Sequence, residues 1–231
     1  MKNQLVTEGI ILSRIDFGEA DRIVTVLTPD NGKIKAIAKG VRRPKSKLAG
    51  GIELLSTNNL TIFSSKGDLG TVISSRLISH YGNIVTDMQR TMFAYDLLKK
   101  VNRTTEDASD EDYYWLLQRT LQALDDGELA IELIELWFCM QLLHIAGHAP
   151  NLQTDVDANP LDRFGKYEFD FDQMAFKFRH NAPYDSRHIK LMRLSHSVDH
   201  PLVLKNIADA SQYTGLVLRL VTSLADTHVH L

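Results

Sequence analysis

The chain has 231 residues, of which 44% are hydrophobic and 24% are charged, the usual composition of a globular protein that builds its own core. Its single cysteine, Cys139, excludes an internal disulfide and a zinc site made of cysteine pairs, and a low cysteine count suits a reducing cytoplasm. No run of 18 apolar residues occurs, and the N-terminal stretch does not resemble a signal peptide, so we expect neither a transmembrane helix nor a secretory leader.

The formal net charge of −3 hides an uneven distribution along the chain. Residues 1–80 contain 12 Lys and Arg against 7 Asp and Glu, whereas residues 81–231 contain 14 against 22. Blocks of opposite sign indicate two parts with different partners. A polyanion would be attracted to the first part and repelled at long range by the second.

The first 80 residues predict five short strands separated by turns, with no long helix between them. The predicted strands are 5–12, 23–28, 33–39, 52–63 and 69–79, with turns at 29–32 and 65–68. In the third strand, Ile34, Ala36 and Ala38 alternate with Lys33, Lys35, Ile37 and Lys39, so the lysines are expected on one face. Five strands in this length favour a small closed barrel of the OB type, and an open antiparallel sheet is the alternative.

After residue 80 the spacing of apolar residues becomes helical. Ile84, Met88, Met92, Tyr95 and Leu98 are three or four residues apart and predict one buried face of a first helix. Further helices are predicted at 110–124, 128–145, 186–195 and about 202–224. The segment 128–145 is apolar on nearly every side, which is typical of a buried central helix.

Residues 151–183 read as an irregular, acidic insertion that is rich in phenylalanine and tyrosine. Within it, residues 169–178 alternate in a way that predicts a short hairpin. The chain is therefore expected to be an α+β protein with a barrel domain at 1–80 and a helical domain at 81–231 that carries the insertion.

A segment of seven cations in 15 residues is the strongest chemical signal in the chain. No Asp or Glu occurs between Asp30 and Glu53. A cationic strand face followed by a flexible Gly/Pro/Ser loop is the kind of arrangement that binds phosphate backbones, whereas a solvated edge strand protected by lysines is the plainer alternative. The candidate DNA-binding residues are Lys33, Lys35, Lys39, Arg42, Arg43, Lys45 and Lys47.

Aromatic residues that could stack on bases are few near this segment: Phe17, Phe63 and Tyr81. Backbone charge is therefore expected to dominate over base recognition. Other constellations are weaker. His144 and His148 are four residues apart, but no glutamate lies between them and Gly147 ends the helix. A metal-dependent hydrolase that uses scattered His and Asp remains an alternative, as does a protein scaffold whose basic loop meets acidic proteins.

Four stretches together resemble the bacterial RecO family of DNA repair and recombination mediators. They are TEGIIL at 7–12, GEADRIV at 18–24, AKGVRRPKS at 38–46 and LLHIAGHAPNL at 142–152. The resemblance implies an N-terminal OB barrel, a helical C-terminal domain and no enzymatic activity. It also implies binding of single- and double-stranded DNA, strand annealing, help with loading RecA together with RecR on DNA coated by the single-strand binding protein SSB, and a cytoplasmic, nucleoid-associated location.

The resemblance has one departure. Many family members carry two cysteine pairs in the insertion, whereas residues 153–180 contain no cysteine, so a four-cysteine zinc site is impossible here and no metal or other cofactor is expected. This degenerate zinc-finger region must hold itself by packing its aromatic side chains.

The resemblance also implies that the acidic C-terminal tail of SSB binds the helical domain. Because that domain is itself acidic, the local surface would have to be basic and apolar. The candidate partner-binding residues are Lys99, Lys100, Arg103 and Arg119.

Overall fold

The computed structural model describes residues 3–64, 69–105 and 111–229. The predicted turn at 65–68 and the first residue of the predicted helix 110–124 lie outside the described residues. The chain divides into two compact units, Met1–Gly127 and Glu128–Leu231, which we call the barrel unit and the helical unit.

Five strands form a closed barrel in the order β1-β2-β3-β5-β4. Their bounds are β1 Asn3–Phe17, β2 Asp21–Thr28, β3 Gly32–Ala38, β4 Ser56–Ser64 and β5 Leu69–His80. Only β3 and β5 pair in parallel, through Lys35 with Leu69 and Ile37 with Thr71, and the other neighbours are antiparallel. The prediction of a five-stranded barrel of the OB type is confirmed, and the open sheet is excluded.

The barrel encloses its own hydrophobic core because each strand alternates between an inner and an outer face. Val24 and Val26 on β2 and Ala36 and Ala38 on β3 are fully buried in this core, while Ile34 packs against it partly exposed. The alternation predicted for the third strand is therefore confirmed, and it leaves Lys35 exposed on the outer face.

Two helices, α1 (Met88–Thr104) and α2 (Glu111–Asp126), belong to the same compact unit as the barrel. The ammonium of Lys33 donates to the Asn102 carbonyl at 2.8 Å, and the Tyr114 hydroxyl lies 3.4 Å from the Glu8 carboxylate. The boundary predicted at residue 80 marks the change from strands to helices, whereas the compact units separate at Gly127. As a domain boundary, residue 80 stays a prediction.

The face predicted to be buried on the first helix is only partly correct, because Ile84 and Leu98 are buried whereas Tyr95 and both methionines are exposed. Met88 and Met92 are 80% and 67% exposed, and the buried side chains of α1 are Ala94, Leu97, Leu98 and Val101. Both sets recur at helical spacing, and α1 packs on β1 and α2. Apolar spacing alone cannot decide between two such faces.

The helical unit is built around α3 (Ile131–Ile145), which is buried along nearly its whole length, as its composition predicted. The other helices are α4 (Ser186–Ser197) and α5 (Ala210–Val229), and both pack on α3. The predicted helix 202–224 is instead two pieces, a 3-10 helix Pro201–Asn206 and then α5. Asp209, between them, has a φ of 57°, which a continuous right-handed helix cannot accommodate.

The insertion is more regular than its composition indicated. It forms a three-stranded sheet in the order β6-β8-β7, with bounds β6 Asn151–Asp155, β7 Tyr167–Asp170 and β8 Ala175–Phe178. The predicted hairpin is the antiparallel pair of β7 and β8. The Phe176 ring is fully buried and meets the rings of Tyr167, Phe169 and Tyr184 with centroids 5.2 to 6.2 Å apart. Aromatic packing therefore holds this segment together, as expected.

Candidate nucleic-acid interface

The outer face of β1, β2 and β3 combines an apolar row with exposed lysines. Ile15, Ile23 and Ile37 are directly opposite one another in the strand register, so they form one row across the three strands. Ile15 is 64% exposed, and Ile23 and Ile37 are half-buried. Lys35 is exposed on one side of this row, and Lys39 follows directly after β3 on the other side. We call this surface the outer face of the barrel.

The aromatic residues near the outer face are not equally available. Phe17 ends β1, pairs with Asp21 and is 51% exposed. Tyr81 is buried, its hydroxyl lies 2.9 Å from that of Thr57, and burial raises the pKa of the phenol. Phe63 is half-buried. Of these three aromatics, Phe17 is the ring with a free face for a base.

The basic loop, residues 39–48, is anchored at both ends rather than being a flexible arm. Gly40 begins it with a φ of 64°, a conformation that favours glycine, and its amide donates to the Asp21 carboxylate at 2.7 Å. Val41 is buried in the barrel core, and Leu48 packs against that core at the far end. Between the anchors, the amide of Arg43 donates to the Gly40 carbonyl at 3.1 Å.

The loop presents most of its cations to solvent. Arg43, Lys45 and Lys47 are exposed, and within the described residues their side chains have no hydrogen-bond or ion-pair partner. The same holds for Lys35 and Lys39. Five of the seven candidate DNA-binding cations are thus available to a polyanion, and the anchored loop carries three of them.

Arg42 is placed differently from the rest of the loop because it joins an ion-pair network. Its Nε lies 3.5 Å from Asp16 Oδ2, and the Asp16 carboxylate accepts a 2.8 Å hydrogen bond from Arg22. Glu53 pairs with Arg14 and Arg22. The hydrogen bond from Arg22 is the main cause of a lowered Asp16 pKa, and the nearby charges of Arg42, Arg22 and Arg14 add to it. Asp16 therefore stays ionised and competes with any phosphate for Arg42.

Lys33, the remaining candidate, is half-buried and its ammonium is engaged by the carbonyl of Asn102 near the end of α1. A cation at this position also suits the negative end of the helix dipole. The alternating pattern of the strand could not show this, because the partner is far away in the sequence.

The four candidate partner-binding residues all lie on the two helices of the barrel unit. Lys99 and Arg103 are exposed on the last turns of α1, Lys100 pairs with Asp96 at 3.1 Å, and Arg119 is half-buried on α2. The exposed residues Met88, Met92, Tyr95, Lys99 and Arg103 are spaced by four, three, four and four positions, which places them on one side of α1. This exposed face of α1 is apolar at its beginning and cationic at its end.

Two family models together match most of the chain. The N-terminal domain of recombination protein O matches residues 1–81, and its C-terminal domain matches residues 86–229. The chain belongs to the RecO family. The resemblance carried by the four sequence stretches is thereby confirmed, and so is the DNA repair and recombination context that the family name states.

Individual RecO proteins agree with the family models. The DNA repair protein RecO of Acetivibrio thermocellus is 35% identical over 177 residues, which are 76% of this chain and 67% of that protein. The proteins of the same name from Moorella thermoacetica and Roseiflexus sp. are 35% and 37% identical over 64% and 63% of this chain. These matches span 54% and 51% of the two proteins, so the chain spans from half to two thirds of the length of these relatives.

The histidines of this RecO-family chain do not assemble a metal site in the described structure. Within residues 3–64, 69–105 and 111–229, no three His, Cys, Asp or Glu side chains are grouped so that they could hold a metal ion. His144 and His148 each meet a histidine of another helix: His144 Nδ1 lies 3.3 Å from His196 Nε2, and the His148 ring stacks on His228 with centroids 5.0 Å apart. Cys139 is buried in α3. No described helix is long and apolar enough to span a bilayer.

Proposed function

We propose that this RecO-family chain is a non-enzymatic DNA-binding mediator of recombination, and that it binds single- and double-stranded DNA on the outer face of the barrel and the basic loop. The observation that carries this proposal is a set of five exposed cations that have no carboxylate partner among the described residues: Lys35, Lys39, Arg43, Lys45 and Lys47. Phosphates bind to such a set by charge and by release of counterions.

The apolar row on the outer face adds a second kind of contact. Ile15 is largely exposed, and Phe17 lies two residues further along the same face of β1. In OB folds the face of strands 2 and 3 and the loop between strands 1 and 2 are the usual binding surface. Unpaired bases can pack on Ile15 and Phe17 while the cations hold the backbone, so we expect single strands to bind more tightly than duplexes.

The salt dependence of binding tests the proposal. Replacing Lys39, Arg43, Lys45 and Lys47 together by Ala removes four phosphate contacts, and the slope of log affinity against log salt for a single strand should become shallower by about 3. A charge-matched control replaces Lys177, Arg179, Lys205 and Arg219 of the helical unit by Ala. An unchanged slope in the loop variant, or an equal change in the control, would overturn the assignment.

We further propose that the mediator activity consists of annealing complementary strands and, with RecR, of helping RecA replace SSB on single-stranded DNA in the cytoplasm, at the nucleoid. An anchored cationic surface supports this proposal because it neutralises two strands that otherwise repel each other. Annealing of complementary oligonucleotides should fall with DNA binding in the four-residue loop variant. Cleavage of DNA by the purified protein with added Mg²⁺, Mn²⁺ or Zn²⁺ would instead favour the metal-dependent hydrolase.

For the tail of SSB, we propose the exposed face of α1. An acidic peptide that ends in an aromatic ring needs cations beside an apolar surface, and this face places Lys99 and Arg103 one and two turns after Tyr95. Lys100 and Arg119 are secondary candidates because Lys100 is paired and Arg119 is half-buried.

A labelled tail peptide should bind the full chain weakly and in a salt-sensitive manner. Binding should be lost when Lys99 and Arg103 are changed to Glu. Changing Lys45 and Lys47 to Glu controls for charge, and an equal loss in this control would contradict the α1 site.

A further inference from the structure

A cluster of cations in the helical unit surrounds a cavity that the barrel surface does not explain. Helix α4 carries Arg187, Lys190 and Arg193 at every third position and contains no Asp or Glu. Arg163, from the loop between β6 and β7, lies at the same cavity, which has a volume of about 310 Å³. In a unit with more acidic than basic residues, this is a local concentration of positive charge.

The three cations of α4 differ in their partners. Arg193 Nε donates to the Leu152 carbonyl at 2.7 Å, which fixes the guanidinium against β6. Arg187 pairs with Asp185 at 2.9 Å. Lys190 is exposed and has no hydrogen-bond or ion-pair partner among the described residues. The ammonium of Lys190 is therefore the charge most available to a ligand.

One carboxylate borders the same cavity. Asp162 Oδ1 accepts a 2.6 Å hydrogen bond from the amide of Phe164, so this carboxylate is used to shape the loop. Arg187 is paired with Asp185, so Arg163, Lys190 and Arg193 against Asp162 leave the lining positive. The expected ligand group is an anion.

An exposed ring lies next to the cations. Phe164 is 80% exposed, and the guanidinium of Arg163 lies 4.5 Å from the centre of its ring. The ring is therefore open to solvent on a loop that also carries Arg163. A nucleic-acid base can stack on the Phe164 ring and on the Arg163 guanidinium that lies over it. The nearby cations can then bind the phosphates that flank this base.

We propose that Arg163, Phe164, Lys190 and Arg193 form a second binding surface for single-stranded nucleic acid, separate from the barrel surface. A base stacks on Phe164, and an adjacent phosphate is held at the cavity by Lys190 and the free nitrogens of Arg193. An acidic peptide would satisfy the same cations but would leave the exposed ring without a function. A nucleic-acid strand uses both features, which is why we choose it.

A second surface has a consequence for annealing. If one chain holds one strand on the barrel and another on the helical unit, the encounter of the two strands becomes intramolecular and has a raised effective concentration. The surface is then more important for annealing than for binding one strand. This step rests on the proposed DNA binding by the barrel, whereas the surface itself does not.

Photo-crosslinking in the full wild-type chain tests the surface directly. A thymidine-rich oligonucleotide with 5-iodouracil in place of some thymines is irradiated with the protein, and the crosslinked peptides are identified. We expect crosslinks to the peptide that contains Phe164 in addition to those near the basic loop. Crosslinks confined to the barrel unit would overturn this inference and leave the proposed function intact.

Substitutions measure the contribution of the ring and of the charge. In the background of the four-residue loop variant, Phe164→Ala should weaken the remaining oligonucleotide binding by roughly five- to hundredfold. Lys190→Ala together with Arg193→Ala removes the two proposed phosphate contacts and should reduce the remaining salt slope by about 1.4. The controls in the same unit are Phe171→Ala for the ring and Lys177→Ala together with Arg179→Ala for the two charges, and effects equal to those of the test variants would contradict the assignment.

A poly-glutamate peptide distinguishes the two classes of polyanion. We expect it to compete weakly and to be insensitive to Phe164→Ala. If the peptide binds this surface as tightly as the oligonucleotide, and loses affinity equally with Phe164→Ala, the surface is a protein-docking site and the inference is wrong.

Discussion

The barrel unit and the helical unit use their cations in opposite ways. In the barrel unit, the densest cations lie on one strand face and an anchored loop, and five of them have no partner among the described residues. In the helical unit, Lys166 and Arg187 pair with Asp185, Arg179 pairs with Glu168, and Lys205 pairs with Glu128. Pairing, rather than the net charge of a segment, decides which cations a polyanion can reach.

The barrel unit shows the same rule within a short distance. Arg42 and Arg43 are neighbours in the sequence, yet Arg42 pairs with Asp16 while Arg43 has no partner in the part of the chain that the structure describes. The helical unit shows the converse at Lys190, which has no partner in the same described ranges although neighbouring cations are paired. The difference between paired and unpaired cations can be tested, beginning with the substitution that should lower the free energy of unfolding the most.

The aromatic cluster of the insertion positions the paired cations of the helical unit. Phe176 is fully buried and packs on Tyr184, the residue before Asp185. Phe176→Ala should lower the free energy of unfolding by about 3–5 kcal/mol, measured by urea denaturation, because it removes a buried ring from a packed cluster. Phe178→Ala, at a position that is 47% exposed, is the control and should cost much less.

Metal analysis of the wild type tests whether a bound metal, rather than the packing of aromatic rings, stabilises the insertion. Elemental analysis should find far less than one zinc ion per chain, and a chelator should leave the unfolding transition unchanged. Stoichiometric zinc whose removal unfolds the protein would contradict the view that aromatic packing holds this insertion.

Asp185 is the carboxylate on which the pairing in the helical unit depends. It caps α4 by accepting from the amides of Arg187 and His188, and it also pairs with their side chains. Burial raises the pKa of this carboxyl, but the hydrogen bonds from Arg187 and His188 outweigh burial and hold the pKa well below the ordinary value. Asp185→Ala should cost about 2 kcal/mol of unfolding free energy through loss of the cap.

The pH dependence separates the charge of Asp185 from its capping role. A lowered pKa contributes stability that is complete above the unfolded value near 3.9 and is lost as the pH falls toward the folded value. Asp185→Asn keeps a capping oxygen, so it should cost less than Asp185→Ala at neutral pH. If the wild type and Asp185→Asn lose stability equally between pH 5 and pH 2, the carboxylate charge does not act as we describe.

Asp16 limits the cationic surface of the barrel unit. Asp16→Asn removes the carboxylate that competes for Arg42, so affinity for single-stranded DNA should rise by roughly two- to fivefold at low salt, measured by fluorescence anisotropy. Asp30→Asn, at the exposed turn between β2 and β3, makes the same charge change and is the control. Equal gains in both variants would show that only the net charge matters and that the ion pair between Asp16 and Arg42 does not limit DNA binding.

The alternation of β3 shows how much the sequence could predict about the candidate site. A strand repeats every two residues, and its buried face packs on neighbours that are also strands, so Ala36 and Ala38 inside and Lys35 outside follow directly from the pattern. The helix α1 shows the limit. Met92 and Leu97 are equally compatible with a buried face, and only tertiary packing selects Leu97.

The partners of individual charges were also beyond sequence reasoning. Lys33 meets Asn102 and Arg42 meets Asp16, at separations of 69 and 26 positions in the chain. The stacking of Arg163 on Phe164 is local, but nothing in the sequence showed that the ring would stay exposed or that α4 would bring Lys190 to the same cavity. DNA binding by each named residue stays a prediction until the variants above are measured.

The smallest expected effect concerns a pair of histidines in the helical unit that has no carboxylate in the described contacts. His196 ends α4, and its Nε2 lies 3.3 Å from Nδ1 of His144 on α3. Burial is the main cause that lowers the pKa of His196, and the neighbouring His144 lowers it further. The neutral ring is therefore favoured in the folded state, and NMR titration should place its pKa below the ordinary value of about 6.5.

The two causes of this shift can be separated by one substitution. His144→Gln removes the neighbouring charge but keeps α3 in place, so the His196 pKa should rise without reaching the ordinary value, because burial remains. In the wild type, the unfolded chain binds a proton at His196 near the ordinary pKa, whereas the folded protein binds it only at a lower pH. The free energy of unfolding should therefore fall as the pH is lowered between the unfolded and the folded pKa of His196, and it should level off below the folded value. His180→Gln, an exposed position, should leave both measurements unchanged. A His196 pKa at or above the ordinary value in the wild type would contradict a contact between two neutral rings. It would show that the two histidines share a proton, and that a charge stabilises this pair as carboxylates stabilise the paired cations of the unit.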